Sequence, residues 1–356
     1  MGKTRDEYLS KHWTRYPEMP QRALRTGRVQ QQFLGTQSLR GWSLVNHPIN
    51  PFQIDAAEVL ADGDLVTLLP SNQVVLLAPN LTERDVNSQQ WSDHKKWQQF
   101  LETVRQVFKD KTFQEVKTPT LVLCPGTEPS LEVFETTFEL GSKTKKYYLP
   151  TSPELNLKKL LAEGADKIFE IAPVFRNGER TERHQPEFLM LEWYRSFSNL
   201  SKIKMDVLDL VEIVAEQMKA PKPVGFLHLT VPALFKQYCN FDLQPETTAE
   251  ELKQLAQNLN VDVSAAITID DYFYLIFIEK IEYQWPADHL VFVEKYPPYQ
   301  AALARIGTDG WAERFEFYWQ GLELGNAFHE LNDPILQKDR ALKDLQQKRF
   351  LGKKAI

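Results

Sequence analysis

Two runs of strict alternation dominate the chain. Over residues 168–176, Ile168, Ala172 and Val174 share a side with Arg176, while Phe169, Ile171 and Phe175 take the other. Over 188–195, Phe188, Met190, Glu192 and Tyr194 oppose Leu189, Leu191 and Trp193. Period two places each set on its own face of a sheet. The segment 177–187 between them is polar and holds a Gly and a Pro, so the runs predict antiparallel strands joined by a loop. One face reads as core. The other carries Arg176, Glu192 and Tyr194, an ionisable row that is costly in a buried sheet unless partnered or used. A structural ion pair accounts for a single such charge. The whole row, with Arg180, Arg183 and His184 in the loop above it, points instead to a phosphate-bearing ligand.

The period changes to that of a helix at several places. Trp97, Leu101, Val104 and Phe108 form a stripe over 93–109, with Ser92 or Asp93 as N-cap. A short strand follows at 113–119. Ser152 as N-cap, Pro153 at the first helical position and Gly164 as stop predict a second helix, with Glu154 in its first turn. A carboxylate there complements the helix dipole whatever else it does. Residues 200–219, 248–258 and 269–282 read as scaffold helices, and 290–293 as a strand. Upstream, the short runs 28–34, 43–45, 65–69 and 74–77, punctuated by Gly and Pro, predict a small barrel. A polar linker joins it to the rest.

Near the C-terminus, Gln320-Gly321 predicts a tight turn between two strands. In that register Tyr318 faces Glu323, with Glu316 on their side and Phe317, Trp319, Leu322 and Leu324 on a core side. Paired carboxylates either raise each other's pKa or share a cation, and Mg²⁺ prefers such ligands beside phosphates. Exposed acids without a metal remain the alternative.

Composition sets bounds. The chain has 356 residues, enough for two domains, and its 42% hydrophobic and 25% charged content is that of an ordinary globular protein. A net charge of −6 argues against broad nucleic-acid binding, although residues 1–40 hold eight Lys/Arg against three Asp/Glu. That arm is either a contact surface or simply solvated. Cys124 and Cys239 suggest no disulfide framework, which fits a reducing cytoplasm. Neither a signal peptide nor a membrane-spanning run is expected.

The stretch FRNGERTERHQPEFLMLEWY (175–194) resembles motif 2 of class II aminoacyl-tRNA synthetases in its lysyl form, and is most similar to the free-standing paralogues that attach lysine or β-lysine to elongation factor P. The run Phe113–Pro119 is similar to motif 1, Ser152–Leu155 to the segment that binds the α-amino group, and the 296–304 run, with the compact distance from motif 2 to the next motif, to the elongation-factor paralogues. The resemblance covers about residues 93–340. It implies an α+β fold: a class II synthetase-like catalytic domain, mostly antiparallel sheet flanked by helices, over 93–356. Before it come a basic arm (1–21), a small β-rich, OB-like domain (22–79) and a linker (80–92).

The resemblance also implies the site. Arg176 bridges the substrate carboxylate and the α-phosphate of ATP, and Phe188 stacks on adenine. Arg183 and His184 reach the outer phosphates, with Glu179 standing beside Gly178 where the family has Glu. Glu316 and Glu323 hold Mg²⁺, and Glu154 takes the α-amino group. Glu192, Tyr194 and Glu330 converge on the distal ammonium, and Asn326, Phe328 and Glu330 match the family's amino-acid pocket. Asn326, Phe328 and Glu330 are even-numbered and Glu323 is odd, so one pocket requires a bulge or bend near Gly325. The partners implied are lysine or β-lysine, elongation factor P as acceptor with tRNA as the alternative, and a second copy of the chain meeting near Pro119. The family's third motif, a Gly-rich strand with an Arg, has no counterpart after Asp333. The expectation is a truncated sequence; the alternatives are a paralogue that has lost catalysis and a strand supplied by another chain. Three functions therefore stand: an elongation factor P ligase, a lysyl-tRNA synthetase-like enzyme, and an inactive binding relative.

Overall fold

The computed structural model describes residues 25–34, 39–44, 64–68, 74–78 and 88–353, apart from 127, 130, 180, 182, 183 and 283. The chain divides into two compact units, 1–99 and 100–356. In the first, β1 (Arg25–Leu34), β2 (Leu39–Leu44), β3 (Leu65–Leu68) and β4 (Val74–Ala78) form an antiparallel sheet in the order β2-β1-β3-β4. Closure into the expected barrel, and the basic arm, fall outside the described residues. Helix α1 runs Ser88–Asp110. It starts earlier than its apolar stripe, so Ser92 and Asp93 lie inside it and neither is the N-cap. Its polar first turn carried no periodic signal. Trp97, placed on the stripe, is 46% exposed.

The second unit holds two main sheets. β5 (Gln114–Glu115) pairs in parallel with β8 (Lys167–Phe175), which pairs antiparallel with β9 (Glu187–Arg195). These are the two alternating runs. Their apolar face, Phe169, Ile171, Leu191 and Trp193, packs on Val104 and Phe108 of α1 and on Leu210 and Val214 of α3 (Leu200–Gln217). The hairpin β6 (Glu135–Leu140) and β7 (Lys143–Tyr148) stands apart. Helix α2 spans Glu154–Ala162, one residue later than its signals predict; Pro153 takes the N-cap position, and Ser152 does not.

The other sheet runs β10-β11-β12-β13: Phe226–Thr230, Leu290–Tyr296, Ala312–Trp319 and Leu322–Phe328. Both faces of its middle strands are buried. Leu290, Phe292, Phe315 and Phe317 meet α3 and Trp193. Val291, Val293, Tyr296 and Tyr318 meet α4 (Val231–Cys239), α5 (Ala249–Asn258) and α6 (Ile269–Ile276) in the largest core. Two-sided burial explains the near-continuous apolar run Leu290–Val293. Leu322 and Leu324, expected on a core side, are 42% and 43% exposed, because β13 is the last strand of the sheet among the described residues. Helix α7 (Pro334–Phe350) follows, capped by Asp333.

Candidate active site

The strand register assembles the site. In the β8–β9 pair, Val174 faces Phe188, Ala172 faces Met190, Glu170 faces Glu192 and Ile168 faces Tyr194. Arg176 continues this row as its backbone N–H donates to the Pro186 carbonyl at 2.9 Å. Its guanidinium lies 5.2 Å from the centroid of the Phe188 ring and 4.0 Å from Glu179 Oε2, an ion pair too long for a hydrogen bond. Arg176 Nε is buried without a partner. Gly178 takes φ +79°, a conformation a side chain disfavours. His184 is exposed; its Nδ1 lies 2.9 Å from Thr181 Oγ1. Arg180 and Arg183 fall outside the described residues.

The second half comes from β12 and β13. Gln320 and Gly321, both at positive φ, make the predicted turn. Phe317 pairs with Gly325 but Tyr318 pairs with Glu323, so Leu324 is the extra residue of a bulge. Glu323 and Asn326 thereby share a face, as one pocket requires. A Cβ on Gly325 would stand 3.0 Å from the Phe317 ring, which explains the glycine. Beyond β13, a bridge between Ala304 and Glu330 fixes Glu330.

Three carboxylates converge. Glu154, Glu192 and Glu330 influence one another electrostatically, and the Tyr194 hydroxyl donates to Glu192 Oε1 at 2.7 Å. Burial pushes the Glu192 carboxyl up to about 8, helped by Glu154 and opposed by Tyr194 and Lys158. Burial pushes Glu330 to about 7, opposed by Lys158. Two residues missed from the sequence stand here. Lys158 Nζ lies 2.6 Å from Glu154 Oε1 and 2.7 Å from Glu330 Oε2, the second contact off the line of a hydrogen bond. The spacing of four residues from Glu154 could have found it. Glu128 is raised by burial and by Glu154, and lowered by Arg176 and Lys348. It comes from an irregular loop and carried no pattern.

Glu316 is the surprise. It is 5% exposed, and its carboxylate accepts from Tyr296 Oη and Tyr318 Oη at 2.5 Å each and from Arg314 Nη2. Arg314 is itself buried, donates to the Gln300 carbonyl at 2.5 Å and lies over the Tyr296 and Phe328 rings. Glu323 remains open, raised by its crowded setting and by Glu316 although part of it reaches solvent. Among the described residues no three His, Cys, Asp or Glu form a metal-holding group. With Glu316 engaged by three donors, this pair as placed does not fit a two-carboxylate Mg²⁺ site. Among the described residues no helix is long and apolar enough to cross a membrane.

Residues 85–352 match the family model for class II tRNA synthetases (D, K and N). The chain is 36% identical over 261 residues to elongation factor P–(R)-beta-lysine ligase of Haemophilus influenzae, covering 72% of this chain and 78% of that protein. It is 36% identical over 253 residues to the ligase of the same name from Pasteurella multocida (70% and 76%), and 35% identical over 262 residues to that of Hamiltonella defensa (71% and 77%). With that model matched over most of its length and these relatives covered to more than two thirds, the chain belongs to the class II tRNA synthetase family.

Proposed function

We propose that the protein is an ATP-dependent ligase that activates lysine or β-lysine as the aminoacyl-adenylate and transfers it to a lysine side chain of elongation factor P. The observation that carries this is the cluster of Glu154, Glu192 and Glu330 with Tyr194, a withdrawn acidic pocket built for ammonium groups beside a guanidinium. The similarity to elongation factor P–(R)-beta-lysine ligases supports β-lysine and this acceptor.

In this reading the substrate carboxylate attacks the α-phosphorus of ATP and pyrophosphate leaves. A carboxylate is already a nucleophile, so the protein supplies position and charge rather than a base. Arg176 bridges carboxylate and α-phosphate as a planar fork, which its unpartnered Nε suits. Phe188 takes adenine; His184, Arg183 and Glu179 serve the remaining nucleotide contacts. Glu154 receives the amino group next to the carboxylate's end, Glu192, Tyr194 and Glu330 receive the distal one, and Asn326 and Phe328 belong to the wall of the amino-acid pocket. An analogue lacking that amine leaves buried acids unpaired and is rejected. In the second step the acceptor amine attacks the adenylate carbonyl and AMP leaves. A metal on the triphosphate would find Glu323 open and Glu316 occupied.

Exposed Leu121 and Leu123, beside Pro119, support a homodimer contact there. The free cysteines Cys124 and Cys239 fit a cytoplasmic setting. Amino-acid-dependent ATP–pyrophosphate exchange, followed by labelled lysine or β-lysine offered to purified elongation factor P and to bulk tRNA, tests the reading. Exchange with label on the protein acceptor is expected. No exchange would leave a binding relative, and label on tRNA would make it a synthetase.

A further inference from the structure

Lys158 belongs to no expectation drawn from the sequence, yet the pocket's acids converge on it. Glu154 and Lys158 lie one turn apart on α2, so the helix sets that pair. On a surface such a pair contributes little. Here the same ammonium also meets Glu330, which arrives from beyond β13. The three side chains are 22%, 15% and 30% exposed, so solvent screening of the group is reduced.

The charges can be counted. Glu154, Glu192 and Glu330 present three carboxylates to the one ammonium of Lys158. Among the described residues, Glu128 also acts on Glu154 and is itself opposed by Lys348 and by Arg176, which the ligase reading gives to the substrate carboxylate. Glu170 faces Glu192 across the β8–β9 pair with Lys117 beside it, an acid and a cation that oppose each other in sign. With the three acids ionised, as bound ammonium groups would hold them, the pocket is therefore short of two positive charges among the described residues. A diamino acid brings two. We propose that Lys158 is a resident counter-cation that sets this deficit at two, and so acts as a positioning residue that determines specificity for a dicationic amino acid. The inference rests on the ligase reading above and names what tunes its pocket.

A consequence separates this role from packing. Lys158 holds down the proton affinity of Glu192 and Glu330, which burial raises. Without it these acids keep protons to higher pH, and an incoming ammonium must displace them.

The test is calorimetry of lysine and of β-lysine binding to the full chain and to Lys158→Met, from pH 6 to 9, in buffers of different ionisation heat. The wild type should bind more tightly as pH rises. K158M should bind about tenfold more weakly at pH 7, release more protons on binding, and reach its plateau about one pH unit higher. K158A, with room where the side chain was, should recover affinity in propylammonium chloride; K158M should not. Unchanged affinity and pH profile in K158M overturns the inference. So does a loss with the wild-type pH profile and no amine rescue, which marks a packing role. If K158M does not fold, K158A titrated with propylammonium decides between the same two outcomes. A wild-type chain that binds neither amino acid overturns the ligase reading and this inference with it; wild-type binding with an indifferent K158M overturns this inference alone.

Discussion

The pocket around Lys158 and the knot around Arg314 use the same parts: carboxylate, cation and tyrosine. They differ in how far each acid is satisfied. In the knot, Glu316 takes two tyrosine hydroxyls and a guanidinium, and Arg314 spends a second nitrogen on the Gln300 carbonyl. In the pocket, one lysine is divided between two acids and a third has only a tyrosine. Tyr296 and Tyr318 donate within the first group and are held well above the usual phenol range by burial and by Glu316. Acids left short of partners are pushed up toward neutrality, and a ligand is what restores them. A saturated cluster is architecture. An under-filled one is a site.

The largest effect should come from breaking the saturated cluster. Arg314→Met leaves a buried carboxylate with no cation and should cost about 3–5 kcal/mol in denaturant unfolding. A loss under about 1 kcal/mol would mean the knot is not structural and would make Glu316 a free ligand again.

The counterpart in the pocket is Glu192→Gln. Lysine affinity should fall by about 2–3 kcal/mol, since the amine loses a charged acceptor, while the empty protein should not be weakened. The pH dependence gives the sign. The Glu192 proton is held more tightly folded, at about 8, than at its ordinary 4.5. Its contribution is therefore fully present below pH 4.5 and is lost as pH rises through 8. E192Q lacks that loss, so it should be more stable than wild type at pH 9 by about 3–5 kcal/mol and indistinguishable near pH 4. Thermal melts across pH check this, and a constant offset would contradict it.

How much of this contrast the sequence displayed depends on the distance between the partners. Period two gave β8 and β9 with their register, although Leu189, expected on the core face, is exposed, and the parity of Glu323 against Asn326 located the bulge. Arg314 and Glu316 are two apart on one strand and so share a face, which was readable. Their saturation was not, because Tyr296 comes from β11 and the Gln300 carbonyl from the turn after it. Likewise the Glu154–Lys158 spacing was local, whereas Glu330 joins them only through the bridge to Ala304. Without topology, the two acids of 316 and 323 looked equivalent. Only the sheet's two-sided burial separates them.

A smaller effect sharpens the boundary of the pocket. Gly126 sits at φ +147°, where a Cβ would stand 2.4 Å from Glu128 Oε2 and 2.8 Å from Thr151 Oγ1. Gly126→Ala should cost about 1–3 kcal/mol of stability through backbone strain. It should also displace Glu128 and so alter lysine affinity. Lost stability with unaltered affinity would place Glu128 outside the pocket.

The smallest effect concerns Glu170, which tests the rule where it is least obvious. It is 1% exposed and faces Glu192 across the β8–β9 pair, so by position it is a fourth pocket acid. Its Oε1 accepts from the Thr118 backbone N–H at 3.0 Å and lies 3.2 Å from Lys117 Nζ, while Oε2 has no partner. Lys117 is 62% exposed, so the ion pair is open to solvent and worth about 0–1 kcal/mol. If Glu170 serves only to tie β8 to the Thr118 segment, Lys117→Met should change stability by no more than that. Lysine affinity should then stay within about twofold at every pH. An alkaline shift of the binding profile, like that expected of K158M, would instead admit Glu170 to the pocket. The charge count would then rise to four acids, and a resident cation at 158 would no longer leave room for two ammonium groups alone.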